Sequence, residues 1–178
     1  MRRAFVGVFL IGLLLGGSLL AVADGYKIGI NNFGQANFFG RIGRTVLINT
    51  VEALGGTAIS TVTETVEDRI AAIENFIAQG VDAIIIQEGD IKMAAPALEE
   101  AKRRGILISS MDSGTAPFVD LVVESNNWVR GAMAATELLN QKKGVASIVL
   151  ITNPLGQMIR MRAGELELVL TEYSESEI

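Results

Sequence analysis

The 178-residue chain has no cysteine and no histidine. Thiol nucleophiles, thiolate metal sites, disulfides and imidazole bases are therefore excluded, as is a lipid-modified N-terminal cysteine. Long basic stretches are also missing. The net charge is −5, and the cationic runs are only Lys102-Arg103-Arg104 and Lys142-Lys143. Each precedes a glycine, where cations complement a helix C-terminus. An acidic chain without clustered Lys and Arg offers no footprint for nucleic acid. Low-complexity segments and internal repeats are absent.

What is present begins at the N-terminus. Met1-Arg2-Arg3 is followed by an almost wholly apolar run, Ala4 to Leu20, and then by Ala21-Val22-Ala23 before Asp24. A basic region, an apolar region and small residues at the cleavage positions predict a secretory signal peptide over 1–23. An uncleaved anchor is the rival reading, since the run could just span a bilayer. Gly7, Gly12, Gly16 and Gly17 weaken it as a permanent helix. Either way the rest of the chain is expected to be exported.

From Tyr26 onward strand and helix signals alternate. Strands are expected at Tyr26–Ile30, Thr57–Thr63, Val81–Gln87, Ile106–Met111, Asp120–Glu124 and Val145–Ile151. Helices are expected at Phe39–Leu54, after Thr65, at Ile91–Arg104, at Trp128–Gln141 and at Met158–Tyr173. The apolar runs Ala83–Ile86 and Ile106–Met111 fit strands buried on both faces. Thr65, with Asp68 three residues on, reads as a helix cap. Single helices between strands predict right-handed crossovers and a doubly wound parallel α/β sheet. In such sheets the ligand crevice lies at the carboxyl ends of the strands. The loops to read are therefore Asn31–Phe38, Gln87–Asp90, Asp112–Phe118, Ser125–Asn127 and Thr152–Gln157.

The first of these carries amides and the adjacent aromatics Phe38 and Phe39. It lacks G-x-G-x-x-G and a P-loop lysine, so no nucleotide cofactor is implied. Aromatic faces suit sugar C–H faces, and amides and carboxylates suit hydroxyls. Adjacent side chains on a helix point about 100° apart, so both rings are not expected to serve one core. Asp112 follows a strand directly and would face the crevice, although Asp112-Ser113-Gly114 is equally a common turn composition. Gln87 ends the third strand and could reach the same space. Arg160 and Arg162 open the last helix, and Arg is a planar donor to polyols or carboxylates. No carboxylate pair is spaced for acid–base work, so an enzyme is not expected.

The loop ending in Phe38-Phe39, "GVDAIIIQ", "ALEEAKRRGILISSMDSG" and "VVESNNWVRGAMAA" resemble the ribose-type periplasmic binding proteins, over nearly all of Gly25–Tyr173. The resemblance implies a two-lobed, hinged, non-enzymatic solute-binding protein. Such a protein captures a small sugar or polyol in the periplasm, uses no cofactor or metal, and delivers to the membrane permease of an ABC importer. It implies ligand-binding roles for Phe38, Phe39, Gln87, Asp112 and Arg162, and Ser113, next to Asp112, is expected to bind ligand with them. Ser113 stands where ribose binders carry Arg, and Ala36-Asn37 where they often carry Asn-Pro, so the resemblance does not point to ribose itself. It also implies lobe one at 24–124, a hinge crossing at 125–127, and only the first part of lobe two at 128–178. Another chain supplying the rest of lobe two is then a possible partner. The competing reading is a sensor or partner-binding half-protein of the same fold that binds no sugar by itself. A repressor core is disfavoured by the signal peptide and by the lack of a DNA-binding headpiece.

Overall fold

The computed structural model describes residues 25–34, 38–145, 147–153 and 156–172. The expected leader Met1–Ala23, the amides Gln35 and Asn37 and the expected helix end at Tyr173 lie outside the described residues. Among the described residues no helix is long and apolar enough to cross a membrane.

Five strands, β1 Lys27–Phe33, β2 Thr57–Thr63, β3 Ala83–Gln87, β4 Leu107–Met111 and β5 Leu121–Val123, form one all-parallel sheet in the order β2-β1-β3-β4-β5. The order reverses between β1 and β3, which opens a crevice outside their carboxyl ends. Helices α1 Phe38–Ala53, α2 Val66–Ala78 and α3 Ala95–Arg103 make the crossovers. The chain is thus a doubly wound α/β protein. The helix pair α4 Asn127–Gln141 and α5 Gln157–Thr171 follows.

The core lies on the α2/α3 side. Ile73 and Phe76 from α2, Leu98 and Ala101 from α3, and Ile84, Ile86 and Ile108 from the sheet are buried together. Burying each large side chain is worth roughly 1.5–3 kcal/mol. The strand alternation sends Ile84 and Ile86 to this side and Gln87 to the other, under α1. Thr65 caps α2 as expected, its Oγ1 accepting from the Asp68 N–H at 3.1 Å. Helix α4 packs on α5 through a separate small cluster, Ala135, Leu139 and Leu170. A side chain at Gly131 would meet the Arg162 carbonyl oxygen at 2.2 Å, so glycine permits that close approach.

Four expectations are corrected. β1 runs on to Phe33 because the Asn31 amide is taken up inside the sheet, donating to Thr61 and Thr63 hydroxyls at 3.2 Å each. The helix expected from Ile91 begins as a 3-10 turn, Ile91–Ala94, and becomes α-helical at Ala95, with Pro96 in its first turn. There the missing N–H costs nothing. β4 is not buried on both faces, since Leu107 remains 57% exposed: the α3 side is covered, and on the other side Ser109 and Met111 are only half-buried. The strand expected at Val145–Ile151 does not form among its described residues, where Ser147 alone makes an isolated bridge. A strand needs a neighbour along its length to satisfy its backbone, and the described residues here pair at that one position only.

Gly29 in β1 lies under the Phe76 ring, and a Cβ there would come within 2.7 Å of two ring atoms. Gly29→Ala should therefore destabilise the fold by about 1–3 kcal/mol through overpacking. The expected result in urea is a lower midpoint with an unchanged slope.

Candidate functional site

At the carboxyl edge, the chain leaves β3 through Glu88 (φ 60°) and Gly89 (φ 74°) and leaves β4 through Asp112 (φ 51°). Two acidic residues thus hold left-handed backbone at adjacent strand ends. The Asp112 N–H donates to the Val123 carbonyl at 3.0 Å, which fixes the turn, and the Asn32 Nδ2 donates to Glu88 Oε2 at 2.9 Å.

Beneath this edge Arg69 of α2 is fully buried. Its Nε donates to Asn31 Oδ1 at 2.9 Å, and its Nη2 donates to the carbonyls of Glu88 at 2.8 Å and Gln87 at 3.4 Å. Its guanidinium lies over the Phe33 ring, 4.6 Å from the centroid. Burial pulls its pKa down to about 10, partly offset by the charges of Asp90 and Glu88. The group is therefore still a cation at neutral pH, tying the ends of β1 and β3 together from inside.

Above the edge sits the start of α5. Arg162 Nε donates to the buried Asn127 Oδ1 at 2.6 Å, and its Nη2 stands 3.9 Å from Asp112 Oδ1. Arg160 Nη2 donates to Asp90 Oδ2 at 3.0 Å. Asn127 also donates to the Ser125 carbonyl and to Met158 Sδ, each at 2.9 Å. Both arginines thus join α5 to the sheet edge, and neither lies on a purely solvated helix face.

Two cavities open here. One, of about 490 Å3, lies between Phe33, Glu88 and Asp112 on the sheet side and Met158, Ile159 and Arg162 on α5. The other, of about 750 Å3, is lined by Phe39, Asp112, Glu124, Arg130 and Arg162 among others. Asp112 and Arg162 border both. At 3.9 Å their pair is too long for a hydrogen bond, so both retain capacity for a guest's hydroxyls.

Of the residues expected to bind ligand, the structure brings Phe39, Asp112 and Arg162 to one cavity. The other three are placed elsewhere. Phe38 is 70% exposed and lines neither cavity. Gln87 is wholly buried, its Nε2 donating to the Gly40 carbonyl at 3.1 Å; strand alternation turns it under α1 and away from the crevice. Ser113 is also buried, and its Oγ lies within reach of the carbonyls of Glu88 (2.9 Å) and Ile86 (3.2 Å), so it clamps β3 to β4. Sequence reasoning missed Phe33, Glu88, Arg69 and Asn127. The available signal for Arg69 was a cation on the apolar stripe of α2, one position before Ile70.

The chain matches the family described as periplasmic binding protein domain over residues 28–177. A xylitol-binding protein of Mycolicibacterium smegmatis is 23% identical over 168 residues, which span 91% of this chain and 47% of that protein. Among solved structures, an ABC sugar transporter subunit from Rhodobacter sphaeroides aligns with TM-score 0.80 and 26% identity, over 85% of this chain and 54% of that one. An ABC transporter solute-binding protein from Agrobacterium vitis with bound allitol aligns with TM-score 0.80 and 24% identity, over 86% and 53% respectively. The chain spans about half the length of these relatives.

Glu124 provides a test of the site's electrostatics. Partial burial raises its pKa above the ordinary carboxyl value, and the nearby Asp112 charge raises it further. A raised carboxyl favours the protonated native state, so the cost to stability appears as pH rises through the folded value and is absent below the unfolded one. Carboxyl NMR titration should place the Glu124 midpoint above that of a model peptide. Asp112→Asn should move it down; an unmoved midpoint would show that the two groups do not share the cavity.

Proposed function

The chain belongs to the periplasmic binding protein domain family, and from that premise we propose that it is an exported, non-enzymatic solute-binding protein that captures a small neutral sugar or polyol for the permease of an ABC importer. The observation that carries this reading is the convergence of Phe39, Asp112 and Arg162 on one cavity at the carboxyl edge of the sheet. A carboxylate and a guanidinium can together accept from and donate to vicinal hydroxyls, and an aromatic ring can cover a C–H face. Relatives that bind xylitol or allitol support the same ligand class. The resemblance assigns 24–124 to one lobe, 125–127 to a hinge and the rest to a second lobe. Arg162 then reaches a ligand from the second lobe while Asp112 and Phe39 hold it from the first. Export rests on the basic and apolar N-terminal pattern ending at Ala23.

Calorimetry with pentoses, hexoses and alditols tests the reading. Binding of at least one neutral sugar or polyol is expected, and Asp112→Ala should weaken it by about 10- to 100-fold, the worth of one charge-assisted hydrogen bond or slightly more. Absence of binding across the whole panel would overturn it. N-terminal sequencing of the secreted protein should begin at Asp24; retention of the apolar run would refute cleavage.

A second reading, engagement of another polypeptide, draws on one observation. Val149 and Ile151 are 89% and 92% exposed, and an apolar pair so placed favours association. Sedimentation of the purified chain separates monomer from complex.

A further inference from the structure

The smaller cavity sets a group of apolar side chains beside the Asp112 and Arg162 it shares with the larger one. Phe33 at the end of β1, Val66 opening α2, Met93 in the 3-10 turn, and Met158 and Ile159 on α5 all line it. Five apolar side chains from four elements therefore face the same space as Asp112 and Arg162. Glu64, Thr65, Glu88 and Asn153 line the cavity as well, so hydroxyls find partners on that part of the lining, whereas a methyl against the apolar part removes apolar surface from water. Phe33 is also held unusually well for a half-buried ring, with the Arg69 guanidinium stacked against it at 4.6 Å and that guanidinium fixed by Asn31 and the Glu88 carbonyl. A rigid ring beside the unbranched, half-buried side chain of Met93 suits a small apolar group of adjustable shape.

We infer that the ligand is a neutral sugar with an apolar terminus, a deoxy or alkylated carbon, seated against Phe33, Met93, Met158 and Ile159 while its hydroxyls turn toward Asp112 and Arg162. Arg69 is the positioning residue behind Phe33. The inference rests on the reading of this cleft as a sugar site and narrows the substrate class within it.

The test compares matched pairs by ligand-observed NMR and calorimetry on the full chain: D-fucose with D-galactose, 6-deoxy-D-glucose with D-glucose, and 5-deoxy-D-ribose with D-ribose. In at least one pair the deoxy member should bind at least about tenfold more tightly. Ile159→Thr, on the half-buried rim of α5, should weaken the deoxy sugar more than its parent and so reduce that ratio. Arg69→Lys should also shrink the ratio, which a change in global stability alone would not do at temperatures where the variant stays folded. Should Arg69→Lys fail to fold, Ile159→Thr decides alone. Parent sugars that bind as well as or better than their deoxy partners in every pair would overturn this inference and leave the sugar-binding reading standing. Failure of every sugar in both columns would overturn both.

Discussion

A single buried cation organises the carboxyl edge of this protein. Arg69 reaches from α2 across the ends of β1 and β3, donates to Asn31, Gln87 and Glu88, and backs the Phe33 ring. Among the described residues no hydrogen bond to a carboxylate compensates its burial; its acceptors there are one amide oxygen and two carbonyls. Its Nη1 is buried without a partner among the described residues. A charge held on such terms is expensive to bury, and the lowered pKa records that expense. In return the backbone of the β3 exit is held where Glu88 and Gly89 must adopt left-handed geometry, and the cleft's acidic rim has a fixed base.

The second organising contact comes from above. Asn127, at the start of α4, accepts from Arg162 and donates to Met158 and the Ser125 carbonyl. It therefore sets where α5 begins relative to the segment that leaves the sheet. Arg160 and Arg162, two residues apart on one helix, reach Asp90 and Asp112 at the exits of two neighbouring strands. Helix α5 is located by charge at two points and by little apolar contact with the sheet. Such a joint is sensitive to ionic strength and can part without exposing much core.

Much of this was legible in the sequence, because periodicity and punctuation there agree with the fold. The bounds of β2, the Thr65 cap and the alternation that produces a parallel sheet all follow from local chemistry. The carboxyl-edge rule then brought Asp112 and Phe39 to the crevice. What escaped depended on tertiary partners. Gln87 and Ser113 sit at the right strand ends, but one turns under α1 and the other spends its hydroxyl on neighbouring carbonyls. Nothing local distinguishes such a residue from one that faces solvent. The segment at 145–151 has the composition of a strand, but its described residues form only the isolated bridge at Ser147, so β-propensity alone misreads it.

The left-handed backbone at Glu88 and Asp112 bears on how this cleft could change over generations. Each position would be more comfortable with glycine, which adopts that conformation without the crowding a side chain brings. Conformational comfort and a negatively charged rim therefore pull in opposite directions at the same two codons. A lineage selected only for heat resistance should drift toward glycine there and lose its carboxylates first, while the sheet and its buried core remain unchanged. The chemistry of the rim is then the most easily erased property of the fold, and a population keeps both acids only while something continues to select for what they hold.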